Sequence, residues 1–204
     1  MKGLFNRIAG RIYTSGKARY EEGVIRSLFN KGIIDPSVHF TASAEIQNLS
    51  GNKNAIRIGA QSNIEGLIIV YPYGGEVQIG SFCSLSPGSR LVSAEKIIIG
   101  HRVLIAHNVN IIDNNSHPLD AALRHKDFVE SYSTGMQKHD LNASPVIIED
   151  DVWIGHNTTV LKGVTIGMGA VIGAGSMVTK DIEPWSVNVG TPLKIIKYLN
   201  LNGV

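Results

Sequence analysis

The sequence has little of what several classes of protein require. Cys83 is the single cysteine in 204 residues, so the chain can form neither an internal disulfide nor a cluster of thiolate metal ligands. Lysine and arginine total 19 against 17 acidic residues, and no block of successive basic residues occurs, which argues against a nucleic-acid partner. No apolar run reaches the roughly 18 residues that a membrane-spanning helix needs. These absences disfavour metal and redox functions and indicate a cytoplasmic protein.

What the sequence has instead is a six-residue repeat. Branched apolar residues recur in phase at Ile148, Ile154, Val160, Ile166, Ile172 and Val178. Four positions after each of them stands an apolar or small residue, at Val152, Thr158, Val164, Ala170, Ser176 and Ile182. In an amphipathic helix apolar residues recur every three or four positions, and in an isolated strand apolar and polar residues alternate. Neither explains a six-residue period. It predicts a three-sided coil in which each hexad forms one flat face and its first residue points inward.

The same repeat continues upstream with interruptions. In-phase apolar residues occur at Ile58 and Ile64, at Ile79, Leu85, Leu91 and Ile97, and at Ile99, Ile105 and Ile111. The stretch from about residue 38 to 183 has room for roughly seven turns. Glycines at 155, 167 and 173 directly follow inward residues, as expected at corners where a side chain would crowd the backbone.

These hexads resemble those of the hexapeptide-repeat acyltransferases. The resemblance is carried by VLIAHNVNI at 103–111, SHPLD at 116–120, the repeat at 146–182 and GTPLKII at 190–196. Within the family, the chain resembles the sugar and surface-polysaccharide O-acetyltransferases in particular. The resemblance implies an all-β fold, a left-handed parallel β-helix, and a homotrimer with sites between subunits. It also implies acetyl-CoA as cosubstrate and a sugar or saccharide as acceptor.

Interruptions of the repeat divide the chain into three predicted parts. These are a helical N-terminal cap at 1–35, a β-helix domain at 36–183 with a loop excursion at 112–145, and a coenzyme-binding tail at 184–204. Helical composition ending at Gly32 supports the cap. Basic residues near the N-terminus, Lys2, Arg7 and Arg11, leave membrane contact as an alternative, but packing or trimer contacts are the preferred explanation.

The excursion at 112–145 departs most strongly from the repeat, and a long polar loop on a rigid scaffold is typical of a binding site. In the resembling enzymes a histidine at the start of this loop is the catalytic base, and His117 matches it. A hydroxyl attacking a thioester must lose its proton near neutral pH, where imidazole titrates. We therefore predict that His117 is a general base; the alternative is a surface turn before Pro118.

The group that orients His117 is left open by the sequence. Asp120 is the candidate in the same motif, while another carboxylate or a backbone carbonyl would serve equally well to stabilise the imidazolium.

Trp153 precedes the inward residue Ile154, so its ring should point away from the prism. In the resembling enzymes a tryptophan here positions the thioester or the acceptor, and packing between subunits is an equal alternative. His156 matches a position facing the pantetheine arm, although relatives often carry a small residue there.

Acetyl-CoA needs a groove for its pantetheine arm and cations for its phosphates. The resemblance implies seven cofactor-binding positions: His156, Gly173, Ala174, Thr179, Lys180, Lys194 and Lys197. The alternative for the lysines is that they are merely solvated.

The acceptor is expected to be a saccharide for a surface glycan rather than free maltose or galactoside. Alignment with the small-sugar enzymes places Ser93 and Ala94 where those enzymes carry an acidic pair. The excursion also carries Arg124, Lys126 and Lys138, which suit a larger or acidic acceptor.

Three other functions are alternatives to sugar O-acetylation. An N-acetyltransferase acting on a nucleotide-linked amino sugar is the main alternative, and a non-catalytic β-helix scaffold is the next. A γ-type carbonic anhydrase would need two histidines five residues apart, a spacing that no pair among the seven histidines shows.

Cys83 falls in the small-residue position of its hexad, so we expect it to be buried and not to act as a nucleophile.

Overall fold

The hexads form short strands whose stacked turns enclose a triangular prism. The computed structural model describes residues 18–133, 135 and 140–199, and in these the strands form three sheets with parallel neighbours. Because three hexads complete one turn, Ile148 pairs with Ile166 and Ile154 with Ile172. The described residues contain six full turns and the start of a seventh, close to the roughly seven that the repeat predicts.

Each turn contributes one strand to each sheet. Sheet A contains β1 (Ile33–Ile34), β4 (Ile56–Ile58), β7 (Val77–Ile79), β10 (Ile97–Ile99), β13 (Val146–Ile148) and β16 (Thr165–Ile166). Sheet B contains β2 (His39–Phe40), β5 (Asn63–Ile64), β8 (Ser84–Leu85), β11 (Leu104–Ile105), β14 (Trp153–Ile154), β17 (Val171–Ile172), β19 (Ser186–Val189) and β20 (Lys194–Tyr198). Sheet C contains β3 (Glu45–Asn48), β6 (Leu67–Val70), β9 (Arg90–Ser93), β12 (Asn110–Ile112), β15 (Thr159–Val160) and β18 (Met177–Val178). Only β20 runs antiparallel to its neighbour among these strands.

The interior consists of the inward columns that the repeat predicts. The residues that open the hexads are at most 1% exposed at Ile148, Ile154, Val160, Ile166, Ile172 and Val178. Buried residues form one cluster along the prism from Leu28 to Leu193. Cys83 belongs to it, and burial raises the pKa of its thiol, so the prediction of a buried cysteine is confirmed.

Within each turn the chain bends at corners between one sheet and the next, and equivalent corners of successive turns stack into the edges of the prism. We name each edge after the two sheets that it joins, for example the A–B edge. At the A–B edge, Gly169 has φ +66, and a Cβ there would lie 2.1 Å from Cε3 of Trp185. A larger residue would therefore collide with the ring in the next turn. The C–A edge carries the longest connections in the described coil, at 49–55, 71–76 and 113–145.

Helical segments lie outside the prism. They are α1 at 18–28, a 3-10 turn at Lys53–Ala55 and α2 at Ala121–Ser133. Leu28 at the end of α1 is buried, and Phe29 packs edge-to-face on Phe40 with centroids 5.1 Å apart. This packing covers the first turn, as expected of a cap, although β1 already lies within the predicted cap range. The N-terminal basic residues Lys2, Arg7 and Arg11 are outside the described residues.

Two further segments interrupt or follow the stacked turns. The excursion occupies 113–145 between β12 and β13, and the tail contains the antiparallel pair β19 and β20. Across 18–133, 135 and 140–199, no helix has both the length and the apolar character that crossing a bilayer requires.

Candidate active site

His117 lies on the excursion at the C–A edge and contacts a carboxylate. Its Nδ1 is 2.9 Å from Oδ2 of Asp127. The His117 side chain is 57% exposed and that of Asp127 14%, so the carboxylate is shielded while the imidazole faces solvent. When a neutral imidazole donates from Nδ1 to a carboxylate, its lone pair resides on Nε2. The arrangement can therefore accept a proton at Nε2.

The carboxylate beside His117 is not the one suggested by the motif. Asp120 Oδ1 accepts a hydrogen bond of 2.9 Å from the backbone N–H of Leu123, so Asp120 caps the first turn of α2. Asp127 lies further along α2 and reaches back to the ring. Sequence reasoning missed Asp127 because the contact depends on where α2 folds relative to the loop.

A buried aspartate anchors the start of the excursion. Asp113 is fully buried, and its carboxylate accepts hydrogen bonds from the Ser93 hydroxyl at 2.6 Å and from the N–H groups of Ala94 at 2.8 Å and Glu95 at 3.0 Å. The Asn114 amide donates to it as well, at 2.9 Å. These bonds join the excursion to the turn below and fix the backbone from which His117 departs.

Tyr71 reaches the same region from a lower corner. Its hydroxyl hydrogen-bonds the Ser116 side chain, next to His117 in the sequence. Burial raises the pKa of Tyr71, and the negative charges of Asp113 and Asp127 raise it further. The phenol therefore keeps its proton and lies close to the carboxylate that holds His117.

The basic residues of the excursion have partners in the described structure. Arg124 Nη1 donates to the carbonyl oxygen of Leu119 at 3.0 Å, and Lys126 Nζ lies 3.7 Å from Glu130. Arg124 therefore holds the loop that follows His117. Lys138 and His139 are outside the described residues.

Trp153 lies on another face of the prism. It belongs to β14 in sheet B, points outward as predicted, and is 53% exposed. Leu104 precedes it in the same outward column and is 52% exposed. The excursion with His117 leaves the prism at the C–A edge. Within one chain, the structure does not bring Trp153 and His117 together.

Most of the predicted pantetheine positions follow the B–C edge near its C-terminal end. His156 is exposed, and its carbonyl accepts a 2.8 Å hydrogen bond from Gly175 N–H in the next turn. Gly173 has no room for a Cβ, which would lie 2.8 Å from Cγ2 of Val189. Ala174 and Thr179 are exposed. His156, Gly173 and Ala174 thus share the B–C edge, whereas Thr179 follows β18 and lies at the C–A edge.

Two of the predicted phosphate ligands share a cavity. Lys180 and Lys194 line a hollow of about 380 Å³, together with residues of the last corner and of β19 and β20. Two acidic side chains also line it, but Glu183 accepts from the Tyr198 hydroxyl at 2.7 Å and Asp181 from Thr165 N–H at 2.7 Å. Lys197 lies on β20 opposite Val187, outside this lining.

Comparison with known proteins identifies the family to which this chain belongs. Residues 145–180 match the family described as bacterial transferase hexapeptide (six repeats). An Escherichia coli K12 protein named as a lipopolysaccharide biosynthesis O-acetyl transferase is 33% identical over 143 residues, covering 70% of this chain and 67% of that protein. This chain belongs to the hexapeptide-repeat transferase family.

Other members of the hexapeptide-repeat transferase family show the same likeness. The galactoside O-acetyltransferase of Escherichia coli K12 is 35% identical over 132 residues, 65% of this chain, and the chain spans 59% of that enzyme's length. The crystal structure of the polySia-specific acetyltransferase NeuO matches with a TM-score of 0.63 and 28% identity, over 84% of this chain and 70% of that one. The family fold is a left-handed β-helix, which confirms the predicted handedness.

The described part of this family member gathers no three histidine, cysteine, aspartate or glutamate side chains in a metal-binding arrangement. Its candidate site thus consists of a histidine and carboxylate pair at the C–A edge, an exposed tryptophan on sheet B, and a cavity at the C-terminal end that two lysines and two carboxylates line.

Proposed function

We propose that this protein transfers the acetyl group of acetyl-CoA to a hydroxyl of a sugar or surface-polysaccharide precursor, with His117 as general base. The observation that carries the proposal is the 2.9 Å contact between His117 and Asp127 on the exposed excursion of a hexapeptide-repeat fold. The names of the relatives, O-acetyltransferases acting on saccharides, support this choice of acceptor. A cytoplasmic location stays a prediction.

The chemistry requires one base and one orienting carboxylate. Acetyl-CoA supplies an acetyl group activated as a thioester. His117 Nε2 takes the proton of the acceptor hydroxyl as its oxygen attacks the thioester carbonyl, and later returns that proton to the departing sulfur. Asp127 holds Nδ1 and stabilises the imidazolium between these two transfers. Asp120 acts only through α2, which it caps.

The C-terminal end has the features that coenzyme A needs. Lys180 and Lys194 supply positive charge to one cavity, and the carboxylates that share it are already engaged. The exposed corner at Gly173 and Ala174 offers a path for the pantetheine arm along the B–C edge, and Thr179 lies on the far side of β18 from it. We assign Lys197 and His156 supporting roles beside this path.

The position of Trp153 favours a homotrimer with sites between copies. Rotation about an axis parallel to the prism keeps every residue at its height along that axis. The excursion leaves between the fourth and fifth turns, and Leu104 and Trp153 occupy the same two turns on sheet B. Such a rotation can therefore bring His117 of one copy to the level of the tryptophan of the next. The exposed aromatic pair of α2, Phe128 and Tyr132, is available for that interface.

The proposed function is tested by following release of free coenzyme A thiol. Purified protein is given acetyl-CoA alone and then with simple sugars, oligosaccharides or nucleotide-linked amino sugars. We expect thiol release that depends on a saccharide with a free hydroxyl. Absence of both acetyl-CoA binding and thiol release with every acceptor would favour a non-catalytic scaffold.

Replacing Lys180, Lys194 and Lys197 together by alanine should raise the KM for acetyl-CoA by at least about tenfold with little change in kcat, because the lysines contact phosphates remote from the reacting bond. Lys53→Ala, at the opposite end of the prism, is the matched control. An unchanged KM in the triple variant would place the nucleotide elsewhere.

Mixing two inactive variants tests the shared site. His117→Ala and Trp153→Ala should each reduce activity, and refolding them together should restore it in about a quarter of the sites under random assembly into rings. Each variant refolded alone is the control. Full activity of Trp153→Ala alone, or no recovery on mixing, would contradict a site built by both residues from different copies.

A further inference from the structure

The C–A edge is closed on one side of His117 and open on the other. Toward the C-terminus, the returning end of the excursion covers the edge. Ser144 N–H donates to the Asp113 carbonyl at 2.8 Å, Gly163 N–H donates to the Ser144 carbonyl at 3.1 Å, and Lys162 Nζ donates to the Asn142 carbonyl. Among the described residues the edge is covered toward the C-terminal turns, so we expect an extended ligand held at His117 to run toward the N-terminal turns.

The next long corner in that direction, at 71–76, is held firmly in place. Tyr71 N–H donates to the Ser93 carbonyl at 2.9 Å. Gly75 has φ +98, and a Cβ there would lie 2.4 Å from the Ser93 carbonyl oxygen. Only glycine permits this approach. The corner is thus a fixed support for the side chains it carries.

This corner directs two tyrosines to different surroundings. Tyr71 is half-buried and hydrogen-bonds Ser116, which ties the corner to the segment preceding His117. Tyr73 is 52% exposed. The corner lies two turns below the excursion, which corresponds to roughly 10 Å at the usual strand spacing. An acceptor longer than a single sugar, held at His117, would reach a corner at this separation.

Three side chains of the wall between His117 and this corner offer little to a sugar. Ser93 is fully buried and its hydroxyl is bonded to Asp113. Ala94 has no polar side chain. The Asp113 carboxylate is itself fully buried and occupied by internal donors. Glu95 is exposed in the same corner as Ala94, and contacts beyond the reacting unit would add to those that it makes.

We propose that Tyr73 is a stacking platform for a second sugar unit, so that the acceptor is an oligosaccharide or polysaccharide lying along the C–A edge with its reacting unit at His117. A pyranose presents a face of C–H groups to an aromatic ring, so the exposed ring of Tyr73 offers it a stacking surface. Tyr73 is then a specificity-determining residue, and the inference rests on the proposed function for the identity of the reacting unit.

Binding and turnover are measured separately to test this. Saturation-transfer NMR and titration calorimetry follow short neutral and acidic oligosaccharides and their monosaccharide methyl glycosides, with wild-type protein, Tyr73→Ala and Tyr73→Trp. Tyr20→Ala, an exposed tyrosine of α1, is the control. We expect Tyr73→Ala to weaken oligosaccharide binding by about tenfold and leave monosaccharide binding and the KM for acetyl-CoA unchanged. Tyr73→Trp, which keeps an aromatic face, should retain affinity.

The outcomes separate this inference from the proposed function. Oligosaccharide binding that depends on Tyr73, without acetyl transfer, would support the platform and overturn the reaction. Acetyl transfer with equal affinity in wild type and Tyr73→Ala would overturn the platform and leave the reaction standing. Failure of wild-type protein to bind any oligosaccharide more tightly than its component monosaccharide would also overturn the platform.

Discussion

Alanine in place of His117 is expected to lower turnover by at least about a hundredfold, the loss typical of removing a general base, and to leave the fold intact. The imidazole is largely exposed and does not belong to the buried cluster, so its removal opens no cavity. The measurement is kcat with saturating acetyl-CoA and saccharide, alongside circular dichroism and the thermal midpoint of each variant.

A paired variant separates the base from the residue that positions it. Asp127→Asn keeps the size of the side chain but removes the negative charge that stabilises an imidazolium. It should lower kcat by a smaller factor than His117→Ala, and combining both substitutions should add little to the loss from His117→Ala. His125→Ala, which removes an exposed histidine on α2, is the control. Comparable kcat in folded His117→Ala and wild type would exclude His117 as the base.

The second large effect concerns stability. Asp113→Ala should lower the free energy of unfolding by at least about 3 kcal/mol, because the Ser93 hydroxyl and two backbone N–H groups lose a buried carboxylate partner. For a chain of this size that corresponds to a fall of roughly 6–12 °C in the thermal midpoint. The measurement is denaturant unfolding followed by circular dichroism.

The matched control is Glu45→Ala, which removes an exposed carboxylate on sheet C and should change stability by less than about 0.5 kcal/mol. If Asp113→Ala unfolds at the same denaturant concentration as Glu45→Ala, the buried carboxylate does not anchor the excursion. Activity of the still-folded fraction should fall as well, since the segment preceding His117 loses its attachment.

The coil could be predicted from the sequence because its cause is local and periodic. Each inward residue of the 146–182 repeat stands at a fixed interval from the next, and the structure buries these positions in unbroken columns. The handedness of the β-helix had to come from family resemblance, since a left-handed and a right-handed coil can have the same six-residue period. The loss of the repeat at the excursion marks the longest connection of the C–A edge among the described residues.

The site was less accessible from the sequence. The motif predicts His117, but Asp127 reaches it through the folding of α2, and Tyr71 reaches the neighbouring Ser116 from a lower corner. No periodic rule relates those positions. Trp153 illustrates the opposite case, because its outward direction followed from strand alternation, whereas its proposed relation to His117 would need a neighbouring copy.

The central claim is that His117 promotes acetyl transfer to a saccharide hydroxyl, and product chemistry tests it most directly. Wild-type protein and His117→Ala are each incubated with acetyl-CoA labelled in the acetyl group and a saccharide that supports thiol release. The molecular mass of the product is then measured by mass spectrometry before and after treatment with mild alkali. We predict a labelled acetyl ester on the saccharide that mild alkali removes and that the variant forms at least about a hundredfold more slowly. An alkali-stable amide on an amino sugar, or equally fast labelling by the folded variant, would contradict the account.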